Sequence, residues 1–262
     1  MFLTRFRVNT ARPGARRLLS SPQAMHAAVM SSFPHILPSD TPRPGAPRVL
    51  WRLDQQARAE VLLYIVSPNR PDLTHLVEQA GWPAVAGPDN PGWQTRSYAP
   101  LLDRLAAGDR WAFRLTANPV HTIRRTEGEP RKITAHLTPI HQMGWLLDEK
   151  RQERLGFRVC EKPAGRRLLP EGTTHQKRPH PGDRYELAIR DTRSLAFDKS
   201  RSAGDRRGKP VTVVTVTFEG RLEITDPDAL RRTLTQGVGR ARAYGCGLLT
   251  LAPLTPPTPK TP

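Results

Sequence analysis

Alternation of apolar and polar positions in the first hundred residues predicts a mixed domain of strands and helices. The opening stretch FLTRFRVN places Phe2, Phe6 and Val8 on one face and Arg5 on the other, which is the period of a half-buried strand. The full series is a strand at 2–9, a helix at 22–33, strands at 48–54 and 59–67, a helix at 71–81 and a strand at 95–100. This β-α-β-β-α-β order is that of a ferredoxin-like domain.

The rest of the chain repeats this order. It runs through a strand at 109–119, a helix at 138–156, strands at 157–161 and 211–224, a helix at 226–237 and a strand at 244–253. We therefore predict an α+β fold of two tandem ferredoxin-like (RRM-like) βαββαβ domains, at residues 1–98 and 99–254. Basic segments at 121–136 and about 162–209 interrupt the second domain. The proline-rich tail at 255–262 is predicted to be disordered.

The net charge of the chain indicates the kind of partner that it binds. The chain has 41 Lys and Arg against 24 Asp and Glu, a net charge of +17. Such an excess favours a polyanion, because each neutralised phosphate releases condensed counterions; a merely well-solvated surface is the alternative. Arginine is the commoner cation, and its planar fork matches phosphate groups and guanine edges, which favours nucleic acid.

Cysteine usage and hydropathy indicate the class of protein and its cellular compartment. Cys160 and Cys246 lie far apart and form no CxxC pair, so neither a disulfide scaffold nor a zinc ribbon is predicted. A reducing cytoplasm is therefore expected. No apolar run approaches the roughly 18 residues of a membrane span, so no membrane association is predicted.

The arginine-rich N-terminus admits two interpretations. No acidic residue occurs before Asp40, and the early arginines imitate a mitochondrial transit peptide. The alternation at 2–9 instead favours a strand of the fold, and Pro13-Gly14 is expected to interrupt any presequence helix. We prefer the strand.

The stretch GVGRARAYGCG, residues 237–247 and here called the glycine-rich loop, lies between the last predicted helix and the last predicted strand. One interpretation is that its backbone N–H groups, with Arg240 and Arg242, bind a phosphate chain. The other is a helix end and turn that simply need glycine. A dinucleotide fingerprint is excluded, because Arg242 stands where GxGxxG needs glycine and the helix precedes the loop.

His26 is the candidate for catalysis, although its position alone does not require it. Ser21 can cap the predicted helix, Pro22 suits its first turn, and Met25 and Val29 fall on its apolar stripe. His26 then lies on the flank of that stripe. From these residues alone an ordinary surface histidine is the preferred interpretation and a catalytic one the alternative.

A family resemblance reverses that preference. The segment VTFEGRLEITDPDALRRTLTQGVGRARAYGCGLLTLAPL, which includes the glycine-rich loop, resembles the C-terminus of the CasE family almost residue for residue. The resemblance extends to FRLTANP (113–119), to RVLWRLD (48–54) and to the opening strand. It also includes the helix that carries His26 and ends at Phe33-Pro34. CasE proteins are CRISPR repeat endoribonucleases with two ferredoxin-like domains.

The resemblance implies a reaction and partners. CasE-type enzymes cut precursor CRISPR RNA at the base of the repeat hairpin, without a metal or other cofactor, leaving a 2′,3′-cyclic phosphate and a 5′-OH. They then stay bound to the 3′ stem-loop of the crRNA beside the other Cascade subunits. The resemblance also implies that His26 is the essential histidine. Gln23 stands where the family often has tyrosine, so its auxiliary role is in doubt and a repeat-binding subunit that does not cut remains an alternative.

The predicted RNA contacts fall in the glycine-rich loop and in the two basic segments. They are Gly237, Gly239, Arg240, Arg242, Gly245, Gly247, Arg124, Arg125, Arg131, Lys132, Arg166 and Arg167, with Ser31 and Ser32 as weaker phosphate candidates. No metal site is predicted, because the pairs His136 and His141, and His175 and His180, lack carboxylates or cysteines to complete a ligand set. A basic ribosomal or mitochondrial RNA-associated protein is a third reading, favoured only by the N-terminus.

Overall fold

The computed structural model describes residues 1–33, 48–56, 60–87, 89–123, 132–167, 181–197 and 211–254 of the chain. Several sequence predictions lie outside these residues: Arg124, Arg125 and Arg131, the histidines at 175 and 180, parts of the 162–209 segment and the tail at 255–262. None of the helices in the described ranges is long and apolar enough to cross a bilayer.

The described residues of the first half of the chain form an antiparallel sheet of four strands with three helices. Its elements are β1 (Phe2–Val8), α1 (Pro13–Ser20), α2 (Pro22–Met30), β2 (Leu50–Gln55), β3 (Val61–Ser67), α3 (Thr74–Ala80) and β4 (Trp93–Ser97). The strand order is β2-β3-β1-β4, so the opening strand is central. Phe6, Met25, Val29, Leu63 and Leu76 are among the buried side chains of the core between sheet and helices.

The second half repeats the arrangement with additions. Its elements are α4 (Ala99–Asp103), β5 (Arg110–Ala117), β6 (Val120–Ile123), β7 (Lys132–Ala135), α5 (Pro139–Leu147), α6 (Glu149–Leu155), β8 (Phe157–Val159), α7 (Pro181–Arg184), β9 (Leu187–Phe197), β10 (Val211–Ile224), α8 (Pro227–Gln236) and β11 (Leu249–Ala252). The main sheet has the order β11-β5-β10-β8, with β9 paired to β10, and β6 and β7 form a separate hairpin. In both sheets the first and third strands of the repeat are central, so the predicted fold of two ferredoxin-like domains is confirmed.

The N-terminal segment is a strand, as the alternation predicts. The expectation that Pro13-Gly14 interrupts a helix is wrong. Pro13 begins α1, because proline is well tolerated in the first turn of a helix, where its missing N–H is not needed. Gly14 then allows α1 to approach α3: a Cβ at this position would lie 2.3 Å from the carbonyl oxygen of Gln79. This dipeptide therefore starts a packed helix.

The prediction of a single helix at 138–156 is also wrong. Asp148 leaves the helical conformation, and its side chain accepts a hydrogen bond from the N–H of Arg151 at 2.9 Å, which caps a new helix, α6. Gly156 ends α6 in the left-handed conformation, as predicted. The predicted strand at 244–253 is shorter than expected, because residues Arg242–Tyr244 form a 3₁₀ turn and β11 begins only at Leu249.

The basic segment at about 162–209 contains regular structure. Its residues Leu187–Phe197 form β9, which pairs along the long strand β10 with a register shift between Thr217 and Phe218. The two strands make a hairpin stalk that reaches from the second sheet toward the first domain. Residues 168–180 and 198–210 lie outside the described part of the chain.

Candidate functional site

His26 lies on α2 where helical spacing predicts it. The side chain of Ser21 accepts a hydrogen bond from the N–H of Ala24 at 3.2 Å, and Pro22 opens the helix. Met25 and Val29 are 1% and 0% exposed and fix the buried face of α2, so the half-buried His26 stands on its flank. The first domain therefore presents the imidazole at an edge of its core.

The imidazole of His26 has an unusual environment. Its Nδ1 is buried and has no hydrogen-bond partner among the described residues. Buried polar atoms in folded proteins are nearly always paired, so an unpaired ring nitrogen is an exception that marks this histidine as a candidate functional residue. Burial also lowers the pKa of His26 below its ordinary value. The neutral ring, which can accept a proton, is therefore the dominant form at neutral pH.

The glycine-rich loop, although more than 200 residues away in sequence, reaches this helix. Its turn Arg242–Tyr244 contacts α2. Gly237 and Gly245 have φ values of +79°, and a Cβ at either would lie 2.8 Å from Leu50 Cδ2 or Trp51 Cζ3 respectively. These glycines are needed so that the loop can pack against β2. The structure thus brings the loop into contact with the helix that carries His26.

The N–H groups of this loop divide into two sets. Those of Gly237 and Gly247 donate to the carbonyl oxygens of Thr233 and Thr116, so they are satisfied inside the protein. Those of Gly239, Arg240 and Ala241 make no hydrogen bond with a described residue. Gly239 and Ala241 are both left-handed, with φ of +73° and +58°. Successive unpaired N–H groups in such a backbone can form an anion-binding concavity, and the phosphate contacts predicted for this loop stay a prediction.

The two arginines of the loop differ in exposure. Arg240 is exposed. Arg242 is half-buried, and its Nε is buried without a partner among the described residues. Burial and the nearby charge of Arg48 lower the pKa of Arg242, which means that its positive charge lacks compensation. Both guanidinium groups can therefore bind an anion.

The other predicted contacts vary in their availability. Gln23 lies one helical turn before His26 on α2. The hydroxyls of Ser31 and Ser32 donate to the carbonyl oxygens of Ala27 and Ala28, and Ser32 is buried, which does not suit it to phosphate binding. Lys132 and Arg166 are exposed, whereas Arg167 pairs with Glu161 at 3.2 Å.

Sequence reasoning missed a buried ionic cluster that joins the two domains. Arg52 on β2 is 2% exposed and donates two hydrogen bonds to Asp54, at 2.6 and 2.9 Å. Its Nη1 donates to the carbonyl oxygens of Arg114 on β5 and Leu248, both at 2.9 Å. Arg114 also pairs with Asp54 at 3.0 Å. The available signal was RLD in β2, where residues 52 and 54 share one face of the strand.

A cleft of about 750 Å³ runs along this junction. Its walls include Pro22 and Met25 of α2, Leu195 of β9, and Tyr244 of the glycine-rich loop. The cleft therefore joins the helix that carries His26, the hairpin stalk and the loop.

Three histidines meet at a second place, at the base of the β6–β7 hairpin. The ring centroids of His121 and His136 are 4.4 Å apart, and those of His136 and His141 are 5.9 Å apart. Within the described ranges, no three His, Cys, Asp or Glu side chains are arranged to hold a metal ion. Burial and the neighbouring histidines and Arg151 lower the pKa of His136.

The fold and the site together define a class: a tandem ferredoxin-like protein whose C-terminal glycine-rich loop packs against a helix that bears a histidine. The family described as CRISPR associated protein matches residues 1–253, and the chain belongs to that family.

Two relatives and one solved structure illustrate the match. The chain is 32% identical over 254 residues to the CRISPR-associated endoribonuclease Cse3 of Thermus thermophilus, which covers 97% of this chain and 100% of that protein. It is 27% identical over 209 residues to the CRISPR system Cascade subunit CasE of Escherichia coli, covering 78% and 89% of the two chains. The structure of Thermus thermophilus Cse3 bound to an RNA representing a pre-cleavage complex has a TM-score of 0.64 at 29% identity, with 96% and 98% covered.

Proposed function

We propose that this protein is a CasE-type CRISPR repeat endoribonuclease. It binds the repeat hairpin of precursor CRISPR RNA, cuts at the hairpin base and stays on the 3′ stem-loop of the crRNA beside the other Cascade subunits. The observation that carries the proposal is the contact between α2, with His26, and the turn Arg242–Tyr244 of the glycine-rich loop. The named activities of the relatives Cse3 and CasE support it.

The proposed organisation follows the two sheets. We assign residues 1–98 to an N-terminal domain with the catalytic helix and residues 99–254 to a C-terminal domain with the loop and the basic insertion. The last strand of the first sheet ends at Ser97, and α4 begins at Ala99. Tyr98, at the junction, donates its N–H to the carbonyl oxygen of Met1 and packs in the core of the second domain.

The proposed chemistry uses a nucleophile that the RNA already carries. The ribose 2′-OH attacks the adjacent phosphorus while the bond from phosphorus to O5′ breaks, which leaves a 2′,3′-cyclic phosphate and a 5′-OH. No metal is required if the protein aligns the 2′-OH with the leaving O5′ and manages two protons. The neutral imidazole of His26 accepts the proton of the 2′-OH, because burial lowers its pKa and favours the basic form. A water molecule supplies the proton that the leaving O5′ takes up.

The phosphate is held by the glycine-rich loop. The unpaired N–H groups of Gly239, Arg240 and Ala241 and the charges of Arg240 and Arg242 face no competing protein acceptor among the described residues. Fixed donors of this kind stabilise charge that develops on phosphoryl oxygens. The stem of the hairpin is held through its phosphates, since the deep major groove of A-form RNA excludes most side chains. We assign this role to the basic hairpin stalk, whose strand β9 carries Arg190 and Arg193.

Gln23 is the residue that favours the second candidate function, a repeat-binding subunit that does not cut. Its amide can donate a hydrogen bond to a phosphate or a water molecule, but it cannot exchange a proton in this pH range. The proposed mechanism therefore gives Gln23 an orienting role only and assigns all proton transfer from the 2′-OH to His26.

Cleavage of the cognate repeat hairpin tests the two candidates directly. In excess EDTA the protein is expected to cut the hairpin and leave a 2′,3′-cyclic phosphate, because no step needs a metal. The same hairpin with one 2′-deoxy nucleotide before the scissile phosphate is expected to bind and remain whole. Loss of cutting in EDTA would overturn the metal-free mechanism, and retention of intact all-ribose RNA would support the binding subunit. Product ends are read by mass spectrometry.

Arg240 provides a test of the phosphate contact. The variant Arg240→Ala is expected to weaken RNA binding and to make the slope of log affinity against log salt shallower by about 0.7 to 0.9 for one lost phosphate contact. Arg232 is an exposed arginine on α8, and Arg232→Ala removes the same charge as a control. Equal salt slopes for the two variants would remove Arg240 from the phosphate contacts. Filter binding or fluorescence anisotropy at several salt concentrations measures the slopes.

A further inference from the structure

Two side-chain contacts among the described residues join the hairpin stalk of β9 and β10 to the remainder of the site. Phe197, the last residue of β9, meets Tyr244 of the glycine-rich loop edge to face, with ring centroids 4.6 Å apart and an interplanar angle of 62°. Arg193 of β9 donates a hydrogen bond from Nη2 to Oε1 of Gln55 at 2.6 Å. The strand that belongs to the second sheet is thereby fastened to the loop and to β2.

Tyr244 continues this connection to the catalytic helix. It ends the turn Arg242–Tyr244, which contacts α2. The next residue, Gly245, packs on Trp51, since a Cβ there would lie 2.8 Å from Trp51 Cζ3. Trp51 and Met25 belong to the same apolar core, and Met25 directly precedes His26. The stalk, the loop, the apolar core of the first domain and α2 are therefore linked in series.

The loop needs an outside support, because it has little of its own. Between Gly239 and Gly245, the described backbone hydrogen bond outside regular elements runs from the N–H of Tyr244 to the carbonyl oxygen of Ala241. Three residues of this stretch are left-handed, which costs non-glycine Ala241 conformational energy. An aromatic pair supplies rigid contact area at low entropic cost, since each ring has only two side-chain torsions.

We propose that Phe197 and Tyr244 are positioning residues, an aromatic contact by which the hairpin stalk holds the turn against α2 and so sets the orientation of His26 on the RNA. The inference rests on the proposed endoribonuclease function and deepens it. Neither side chain touches the reacting atoms. Their effect is on the placement of the imidazole, so their loss slows the chemical step more than it weakens binding.

The test compares truncation with ring-retaining substitutions. Phe197→Ala and Tyr244→Ala are each expected to lower the single-turnover cleavage rate at saturating protein about three- to tenfold, with the Kd for 2′-deoxy-blocked RNA within about twofold. The double variant is expected to be no slower than the slower single variant, because both remove one contact. Phe197→Tyr and Tyr244→Phe are expected to cut at the rate of the unchanged protein.

Several results would overturn the inference. One is additive loss in the double variant; another is a Kd change that accounts for the slower cleavage. A slow Tyr244→Phe would assign the effect to the hydroxyl instead of the ring contact. Ile189→Ala is the matched control, because it removes an apolar side chain from β9 that packs on the core of the second domain. It is expected to lower thermal stability without slowing cleavage at saturation.

Amide hydrogen exchange separates this inference from the proposed function. In Phe197→Ala, residues of the turn 242–244 and of α2 are expected to exchange faster, while β1 in the centre of the first sheet stays unchanged. Unchanged exchange in the turn and α2 overturns the inference even if the protein cuts RNA. If the unchanged protein does not cut, the endoribonuclease proposal fails, whereas faster exchange still demonstrates the support of the loop by the stalk.

Discussion

Replacing His26 by alanine is expected to lower the single-turnover cleavage rate by at least about 100-fold, because positioned general base catalysis contributes roughly 10²- to 10⁴-fold. RNA affinity is expected to stay within about twofold, since we assign phosphate binding to the glycine-rich loop. The ring is only half-buried, and its buried Nδ1 makes no hydrogen bond with a described residue that the substitution would break. The variant should therefore fold. Quenched-flow or gel assays with protein in excess measure the rate.

The pH profile distinguishes the role of His26 from a structural one. Since burial lowers the pKa of His26, the basic form becomes dominant at a pH below the ordinary value of 6.5. The cleavage rate should show an inflection below that pH, with slower cutting on the acid side, and His26→Ala should lack it. His141→Ala is the control, because His141 is exposed and belongs to the histidine group at the β6–β7 hairpin. A rate that falls as the pH rises through neutrality would contradict the assignment of His26 as the base.

The local elements of this fold follow closely from the pattern of the sequence. The alternation in β1 reports a strand that is central in its sheet, and Pro22 and Gly156 mark a helix start and a helix end as predicted. The errors occur where one residue fits two roles. Pro13 can break a helix or begin one. Asp148 lies inside a segment whose apolar spacing predicts one helix, but its carboxylate caps a new helix, α6.

The assembled site was less accessible to sequence reasoning, because it depends on contacts between distant segments. The pattern indicated a glycine-rich loop but not that Gly245 packs on Trp51, nor that the turn before it meets α2. Only the family resemblance connected His26 with the loop. The RLD pattern places Arg52 beside Asp54 on one face of a strand, but it does not indicate that Arg52 is almost wholly buried between two sheets.

Arg52 is expected to be the most important single residue for the junction of the domains. Arg52→Ala would leave Asp54 buried with Arg114 as its remaining ionic partner, and would remove the donor to the carbonyl oxygen of Leu248 at the end of the glycine-rich loop. Removing one member of a buried ion pair typically costs about 3–5 kcal/mol, so the free energy of unfolding should fall by about that amount. Urea unfolding followed by circular dichroism measures it.

The exposed pair of Arg7 and Glu60, at 3.0 Å, provides the matched control. Their side chains are 61% and 35% exposed, and such pairs are worth about 0–1 kcal/mol, so Arg7→Ala should change stability little. Similar losses for Arg52→Ala and Arg7→Ala would show that the buried cluster contributes no more than a surface pair.

Acid should weaken the same junction. Burial opposes the ionisation of Asp54, but the hydrogen bonds and charges of Arg52 and Arg114 outweigh it and lower the pKa of Asp54 below its ordinary value of 3.8. The contribution of this carboxylate to stability is therefore complete above that value and is lost as the pH falls through the lower pKa of the folded state. Because Arg52 also holds Leu248, acid and Arg52→Ala should both loosen the glycine-rich loop, and hydrogen exchange at residues 237–248 should report both. If neither acid nor Arg52→Ala changes the exchange rate in this loop, the loop is held by its packing on Leu50 and Trp51 alone.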